Sequence, residues 1–451
     1  MSVSATTSPL RPAGAISGDV LMSSTLQSFD DIDNIDQVNV DFVHEGVGEG
    51  PVGMSQELTA AEAAARLGVK RETLYAYVSR GLLHRHMAMD GRTSLFDADE
   101  VESFRSGRRR PTEGELDTVI STSLTRVRDG DLRIRGRDLI AMVDDGATYE
   151  DVVGLLWDGG DDSWDPPGDG SAVAAAVREA LPDDAPRIDR LGATVSAVSA
   201  ADPLRADLSP GSVRAAGRGL IVAMVDALPL VGRSGASDSV AHRLWPRLTP
   251  RRPTEDRRRA LDAALALLVD HGLAASTLGA RVAASVRSDP YSVVLAGLGV
   301  VGGPLHGAAS REVHELLAAA DGPSGAAGAV GDAHRRLSRN PGFGHTIYRN
   351  EDPRYVALMR RVSEAWSDDP RLATVHAVRD LIGRRSDAVA NVDLALGALT
   401  WLADMDADAG EAIFAVSRTA GWLAHALEEY GEQPLRFRPR ARYIGERSHS
   451  G

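Results

Sequence analysis

Apolar side chains recur at helical spacing along most of the chain. In TEDRRRALDAALALLVDHG, Leu261, Leu265 and Leu268 fall on one helical face. A second apolar run begins at Asp289, which is followed by a proline suited to the first helical turn, and it ends at Gly302. Alanine is abundant throughout and is the strongest helix former. These patterns predict a mainly helical protein.

A shorter pattern occupies residues 55–106. The stretch LTAAEAAARLGVKRETLYAYVSRGLL predicts a helix, a turn and a second helix. Thr59 and Glu62 have the spacing of a capping box at the start of the first helix, and Gly68 stands where that helix would end. An Asp-Gly pair at 90–91 lies between two short strand-like runs, which predicts a hairpin.

This arrangement resembles the helix-turn-helix of MerR-type and excisionase-type DNA-binding proteins. The resemblance implies a small winged helix-turn-helix domain whose second helix enters the major groove of DNA. The residues that it implies as DNA contacts are Arg71, Tyr75, Arg80 and Arg92. Residues 55–111 hold ten basic and eight acidic side chains, a net charge of +2. Because this bias is weak, a small helical protein-interaction domain is the alternative interpretation.

Composition narrows the class of protein further. The chain has 451 residues, 43% of them hydrophobic, and no cysteine, so we expect two or three domains without disulfides in a reducing cytosol. Residues 1–54 hold one basic and eight acidic side chains without a sustained period, which predicts a disordered acidic tail. We find no apolar run of signal-peptide length at the start. The longest aliphatic stretches are too short to span a bilayer, so the prediction is a cytoplasmic protein without a membrane partner.

Two short motifs are rejected on their context. Gly297, Gly299 and Gly302 satisfy GxGxxG, but Gly303 and a proline interrupt the place where a dinucleotide-binding helix would begin. His314 is followed by glutamate, yet the second histidine of a zincin motif is missing four residues on. We therefore interpret His314 as a residue on a helix surface.

Polar residues that could carry chemistry stand at glycine-rich turns and predicted helix ends. They are His271 in DHGLAAST, His306 in GGPLHGAA, His345 and Arg354 in NPGFGHTIYRNEDPRY, Asp393 in ANVDLALG, Arg418 in FAVSRTAGWLAH and Arg438 in RFRPRARY. Taken singly, each has a structural explanation. A cation stabilises a helix C-terminus, an aspartate caps a helix N-terminus, and arginines are common on surfaces.

Taken together, these motifs resemble the citrate synthase family over essentially all of residues 112–451. VISTSLTRVRDGDLRIRGRDL is similar to the opening segment of that family. GPLHG, PGFGH with a following DPR, NVD, SRTAGWLAH and the terminal RPR and RYIG occur in family order with near-family spacing. The resemblance implies a two-domain all-helical fold, with a small subdomain at roughly 307–398, and a homodimer.

The resemblance also implies a role for each residue. Asp393 would remove a proton from the methyl group of an acyl-CoA thioester, His306 would stabilise the enol oxygen, and His345 would polarise the ketone of an oxo acid. The residues implied to bind the oxo acid are His271, Arg354, Arg418 and, supplied by the second subunit, Arg438. Those implied to face CoA are Gly342, Phe343, Gly344 and Arg349.

Elementary chemistry agrees with these roles. A methyl group beside a thioester is a very weak acid, so a carboxylate needs a donor that stabilises the charge developing on the oxygen. A neutral imidazole suits this task, and we expect His306 to stand at a helix N-terminus, which favours the uncharged ring. Arginine forks match carboxylates. We expect no metal or redox cofactor, with the CoA thioester as co-substrate.

The predicted reaction converts acetyl-CoA, oxaloacetate and water to citrate and CoA. Propionyl-CoA, giving 2-methylcitrate, is the nearest variant, because one methylene contributes only about 1–3 kcal/mol of discrimination. A rival hypothesis is a transcriptional regulator whose synthase-like part senses the oxo acid or the acyl-CoA. Gly272 and Ala274, where the family usually has Glu and Asn, favour that rival. A third hypothesis is a partner-recruiting module on an ordinary enzyme.

Overall fold

The described part of the protein forms two compact units that divide between residues 118 and 119. In the computed structural model the described residues are 57–79, 83, 85–88, 93–98, 101, 104, 120–159, 164, 170–233, 239–303 and 306–437. The predicted tail at 1–54 and the hairpin turn at 90–91 lie outside them, as do the candidate residues Arg80, Arg92 and Arg438.

The N-terminal unit combines two short helices with a three-stranded antiparallel sheet of order β1-β3-β2. Its elements are β1 (Glu57–Thr59), α1 (Ala60–Leu67), α2 (Arg71–Ser79), β2 (His86–Met87) and β3 (Ser94–Asp97). The predicted capping box is confirmed, because the Glu62 carboxylate accepts a hydrogen bond from the Thr59 backbone at 2.8 Å while the Thr59 side chain accepts from the Glu62 backbone. Leu74, Leu83 and Phe96 are buried between the helices and the sheet.

The second unit opens with a small antiparallel sheet and continues as helices. Its strands are β4 (Thr125–Arg128), β5 (Asp131–Ile134) and β6 (Arg137–Asp138). Its helices are α3 (Leu139–Asp144), α4 (Tyr149–Trp157), α5 (Gly170–Ala180), α6 (Arg187–Ala201), α7 (Pro210–Asp226), α8 (Val240–Leu248), α9 (Glu255–Leu268), α10 (Ala275–Ser285), α11 (Pro290–Val301), α12 (Ala309–Ala320), α13 (Ala326–Leu337), α14 (Pro353–Ala365), α15 (Leu372–Gly383), α16 (Val392–Leu402) and α17 (Ala409–Tyr430). The predicted mainly helical class is confirmed. None of the described helices has both the length and the apolar composition needed to cross a membrane.

Helix α17 lies at the centre of the second unit and is buried along most of its length. It packs against α7, α9, α10 and α11. Close packing with α11 depends on Gly297, since a Cβ there would lie 2.5 Å from the ring of Trp422. The glycines of the GxGxxG match therefore lie within or directly after a helix rather than after a strand, and the rejection of that motif is confirmed.

Among the helices between residues 309 and 402, α12 and α14 pack on α16 and α13 packs on α15, while α14 also packs on α9. The prediction that His314 is a surface residue is wrong. It is half-buried, and its Nδ1 lies 3.1 Å from the Thr400 hydroxyl because this face of α12 packs against α16. The limits of the predicted small subdomain, 307–398, stay a prediction.

Candidate active site

His271 lies just beyond the end of α9 and is buried among other rings. Its Nε2 is 2.9 Å from the hydroxyl of Tyr348, and its ring meets that of His345 edge-on at 5.2 Å between centroids. Burial, and then the positive charge of Arg354, hold the pKa of His271 well below its usual value. The ring is therefore neutral at physiological pH. Burial also raises the pKa of Tyr348 to about 12, so its hydroxyl keeps its proton.

A buried chain of charged groups supports the segment that carries His271. Asp270 is fully buried, and its Oδ1 is 3.2 Å from His425 Nε2. The His425 Nδ1 accepts a hydrogen bond from Arg281 at 3.0 Å, so its proton lies on the nitrogen that faces Asp270. Burial alone would raise the pKa of Asp270, but His425, Arg418 and a hydrogen bond from Thr125 together lower it to about 2. Arg281 also pairs with the buried Glu429 at 2.9 Å, so the chain extends to the last turns of α17.

His306 lies in the turn between α11 and α12. Its Nε2 is 2.9 Å from the Ser276 hydroxyl, and its ring meets Phe414 edge-on at 5.7 Å. The pKa of His306 is lowered by burial and next by the charge of Arg418. The expected cause, a helix N-terminus at His306, is wrong, since α12 begins only at Ala309. Burial and the charge of Arg418 favour the neutral ring instead. Among the other described residues, Nε2 has Ser276 as its partner, and Nδ1 has none.

The loop that carries His345 is bound to the segment before α16. Gly344 donates its N–H to the Val389 carbonyl at 2.8 Å, and Asn391 donates to the Gly342 carbonyl at 2.9 Å. Gly342 has φ +76°, and a Cβ there would lie 2.9 Å from side-chain atoms of α12 and α16. Glycine is required at this position for both reasons. The hydrogen bonds fix His345 relative to the first turn of α16.

Two backbone N–H groups determine which nitrogen of His345 carries the proton. Its Nδ1 accepts from Ile347 at 3.0 Å and from Tyr348 at 3.1 Å. These two bonds favour the neutral tautomer with its proton on Nε2, and that nitrogen also lies 3.5 Å from the guanidinium donor Nη2 of Arg354. Burial lowers the pKa of His345, and the charge of Arg354 lowers it further.

Asp393 lies in the first turn of α16. The N-cap of this helix is Asn391, whose Oδ1 accepts from the Asp393 backbone at 3.0 Å, so capping does not account for the aspartate. The carboxylate itself is only partly exposed. Burial raises its pKa from 3.8 to about 6, although the charge of Arg354 acts in the opposite direction. Such a group can take up a proton near neutral pH.

Arg354 is held in place before any ligand binds. Its guanidinium makes two hydrogen bonds to Asp352, from Nε at 3.0 Å and from Nη2 at 2.9 Å. Asp352 is fully buried and also accepts from the Val392 backbone at 3.0 Å, which ties α14 to the start of α16. One edge of the Arg354 fork is therefore occupied by an internal carboxylate, and Nη1 has no hydrogen-bond partner among the described residues.

Arg418 lies on the buried face of α17. Its Nε donates to the Leu268 carbonyl at 2.8 Å, and its guanidinium lies 4.5 Å from the Phe414 ring centroid. Burial lowers its pKa to about 10, so the group keeps its positive charge. Neither Nη atom has a hydrogen-bond partner within the described ranges. The charge of Arg418 also lowers the pKa values of His271, His306 and Asp393, so these groups share one electrostatic environment.

The remaining candidates lie apart from this centre. Arg349 is exposed, and its backbone N–H donates to Asp129, in the β4–β5 turn, at 3.0 Å. Phe343 lines an open cavity of about 550 Å³ together with residues between 350 and 390. Arg71 and Tyr75 lie four residues apart on an exposed face of α2. In the described part of the chain, no cluster of three or more histidine, aspartate or glutamate side chains is arranged to hold a metal ion.

Sequence reasoning missed the partners of the site residues. They are Asp270, Ser276, Tyr348, Asp352 and Phe414. Each lies within a few residues of a candidate that was identified, in the stretches DHGLAAST, GHTIYRNEDPRY and FAVSRTAG. Polar and aromatic residues close to the candidates in these motifs were therefore the signal that could have identified the partners.

Comparison with known proteins places this chain in a family. The family model for the citrate synthase C-terminal domain matches residues 116–440, and that for a helix-turn-helix domain matches residues 57–109. The chain is 38% identical to the citrate synthase of Haloferax volcanii over 199 residues, 43% of this chain and 52% of that protein. It is 31% identical to 2-methylcitrate synthase 1 of Corynebacterium glutamicum over 190 residues, 42% of this chain and 50% of that one. The chain thus spans about half the length of the curated relatives it matches.

Solved structures support the same fold. The citrate synthase of Thermoplasma acidophilum, solved as a ternary complex with carboxymethyl coenzyme A and oxaloacetate, superimposes with a TM-score of 0.64 at 24% identity, covering 74% of this chain and 96% of that one. The citrate synthase of Thermotoga maritima gives a TM-score of 0.60 at 24% identity, covering 73% and 94%.

Proposed function

Because the chain belongs to the citrate synthase family, we propose that it condenses acetyl-CoA with oxaloacetate and water to give citrate and CoA. The observation that carries this proposal is the position of Asp393. Its carboxylate has a pKa of about 6 and lies in the field of two buried arginines, Arg354 and Arg418, while His271, His306 and His345 have lowered pKa values. A base, neutral donors and carboxylate-binding cations are the groups that this reaction needs.

In the proposed first step, Asp393 takes a proton from the methyl group of the thioester. The Ser276 hydroxyl lies 2.9 Å from His306 Nε2, and we propose that it donates to this nitrogen, which leaves the proton of the ring on Nδ1. Nδ1 then donates to the thioester oxygen as the enol forms. A neutral donor suits an enol better than an imidazolium would, because its proton affinity is closer to that of the oxygen.

In the proposed second step, the enol carbon attacks the ketone carbon of oxaloacetate. His345 donates from Nε2 to the ketone oxygen, since its Nδ1 is occupied by two backbone N–H groups. Arg354 and Arg418 bind the two carboxylates through the N–H groups that have no internal partner. Water then cleaves the thioester bond and releases CoA as the thiol. We propose no metal or redox cofactor for either step.

For CoA, we propose the cavity beside Phe343. Its volume of about 550 Å³ lies in the range typical of ligand sites, and Arg379 and Arg384 are among its lining residues. The loop 342–344 connects this cavity to His345, so a thioester bound here would reach the histidine along the same loop. Arg349, which follows this loop and His345 in the chain, is exposed.

The direct test is thiol release from acetyl-CoA and from propionyl-CoA, each with oxaloacetate. We expect turnover with the wild-type protein and a decrease of about 10²–10⁴-fold in Asp393→Asn, since a general base contributes that much. The exposed Asp184→Asn is the matched control and should keep full activity. A faster rate with propionyl-CoA would assign the 2-methylcitrate reaction. Absence of turnover with both thioesters, in folded protein, would overturn the enzymatic proposal.

We also propose a homodimer in which Arg438 acts across the interface. Val282 on α10 and Val286 directly after that helix are 43% and 53% exposed, as expected of an apolar surface that a second subunit covers. Co-refolding Arg438→Ala with Asp393→Asn should restore about a quarter of wild-type activity, because half of the dimers are mixed and each mixed dimer has one intact site. No recovery would place Arg438 in the site of its own subunit.

A second function, regulation of transcription, rests on the N-terminal unit. Arg71 and Tyr75 are exposed on α2, as residues of a DNA-reading helix would be. Binding to duplex DNA that weakens with salt, and that is lost in Arg71→Ala, would support this function. Absence of binding at low salt would favour recruitment of a protein partner instead. Because thiol release and DNA binding are measured separately, either function can fail alone.

A further inference from the structure

A second cavity lies between residues 231–233, helix α8 and the segment that leads into α9. Its volume is about 160 Å³. The polar and aromatic residues that line it are Arg233, His242, Trp245, Arg251, Arg252 and Arg258, and two prolines complete the wall. Four arginines face one small space, and no described acidic residue is part of the lining.

Hydrogen bonds hold the walls of this cavity together. Trp245 donates its indole N–H to the Arg251 carbonyl at 2.6 Å. Val231 and Gly232 donate their backbone N–H groups to the Pro246 carbonyl at 3.0 and 2.7 Å. The backbone that bears Arg233 is therefore fixed against α8, and the cavity is part of the folded framework.

The positive charge in the cavity is only partly balanced. Arg251 pairs with Asp404 at 2.8 Å, and Arg258 pairs with Glu255. Arg233 and Arg252 have no carboxylate partner among the described residues. Within the described residues, two cations without a carboxylate partner thus share a small space in a protein with a net charge of −14, and an anion bound there would compensate them.

His242 shows the effect of this charge. Its Nδ1 is 3.4 Å from a guanidinium nitrogen of Arg258, and burial together with that charge lowers the pKa of the ring. A bound anion would offset the charge of Arg258 at this position.

We propose that this cavity binds a compact phosphoryl anion. Guanidinium forks match the oxygens of a phosphate in geometry and charge. A volume of about 160 Å³ is smaller than the roughly 300–1,000 Å³ of typical small-molecule sites, so it encloses one or two phosphoryl groups and leaves a nucleoside outside. The site is separate from the active site, because it lies at the start of α9 and His271 lies beyond the end of that helix, whose 14 residues span about 21 Å.

The test is isothermal titration of the full-length protein with inorganic phosphate and with diphosphate, at constant ionic strength in chloride. The double variant Arg233→Gln/Arg252→Gln removes the two unbalanced charges, and Arg205→Gln, an exposed arginine elsewhere, is the matched control. Charge-assisted hydrogen bonds of this kind predict that the double variant binds at least about tenfold more weakly, with the control unchanged.

Both variants change exposed side chains, and circular dichroism will verify that they fold. Titration with ADP distinguishes free phosphate from the terminal phosphates of a nucleotide as the source of the anion, and either result supports the site. The absence of phosphate and diphosphate binding, or equal binding to the double variant and the wild type, would overturn the proposal. Thiol release by the double variant is measured in parallel, because the proposed enzymatic activity can fail without affecting the test of anion binding.

Discussion

Replacing Asp393 by asparagine should lower turnover by about 10²–10⁴-fold and yet stabilise the fold near neutral pH. The pKa of this carboxyl group is raised to about 6 by burial, despite the opposing charges of Arg354 and Arg418. The folded protein therefore holds the ionised carboxylate less well than the unfolded chain does. Asparagine has nearly the same shape as the protonated acid and carries no charge, so it removes this cost.

The magnitude follows from the difference between the two pKa values. Between pH 3.8 and about pH 6, the folded state holds a proton on Asp393 that the unfolded state has released. The free energy of unfolding therefore decreases as the pH rises through that window. At about 1.4 kcal/mol per pKa unit, the cost above the window is at most about 3 kcal/mol. This is an upper value, because the side chain keeps some contact with solvent and is screened there. At about pH 5 roughly half of the cost is present.

Urea unfolding of the wild type, of Asp393→Asn and of the exposed control Asp184→Asn, followed by circular dichroism from about pH 5 to about pH 8, measures this effect. We expect the stability gain of Asp393→Asn to increase about twofold over that range, while the control shows no such trend. An asparagine variant that is less stable than the wild type at about pH 8 would refute the reasoning. A gain that does not depend on pH would refute it equally.

Three mutations and one pH profile test other parts of the structure. The value of kcat/KM should increase as the pH rises through about 6, because Asp393 then loses its proton. A kcat/KM that does not change with pH below about 6 would rule out Asp393 as the base. Tyr348→Phe removes the hydroxyl that meets His271 and should raise KM for oxaloacetate by about fivefold, for a hydrogen bond of about 1 kcal/mol, with kcat less affected; an unchanged KM would contradict this. Gly342→Ala should destabilise the fold by about 1–3 kcal/mol, because φ is +76° and the new Cβ would clash; a neutral effect in urea unfolding would show that the loop relaxes. Ala274 is the N-cap of α10 and has no capping side chain, so Ala274→Asn should stabilise the fold by about 0.5–2 kcal/mol. No gain in thermal unfolding would contradict this prediction.

The helices and their ends were largely predictable from the sequence. The capping box at Thr59, the start of α11 after Asp289 and the buried face of α9 follow from local rules that involve only a few neighbouring residues. The mainly helical class follows from the same periodicity. These features depend on hydrogen bonds and apolar spacing within one segment, which a sequence displays directly.

The connections between segments were not predictable in the same way. The pairing of His271 with Tyr348 joins residues 77 positions apart, and that of Asp270 with His425 joins residues 155 apart. No local pattern encodes such distances. His314 illustrates the same limit, since its burial depends on how α12 packs on α16 and not on its own helix.

Asp352 has a consequence for the entropy of ligand binding. A free arginine side chain loses up to about 2 kcal/mol of rotamer freedom when it is immobilised. Arg354 has already lost that freedom, because Asp352 fixes two of its nitrogens and is itself fixed by the Val392 backbone. The loss is part of the folding free energy, so a carboxylate that meets Arg354 finds a rigid receptor and forms its contact without ordering the side chain.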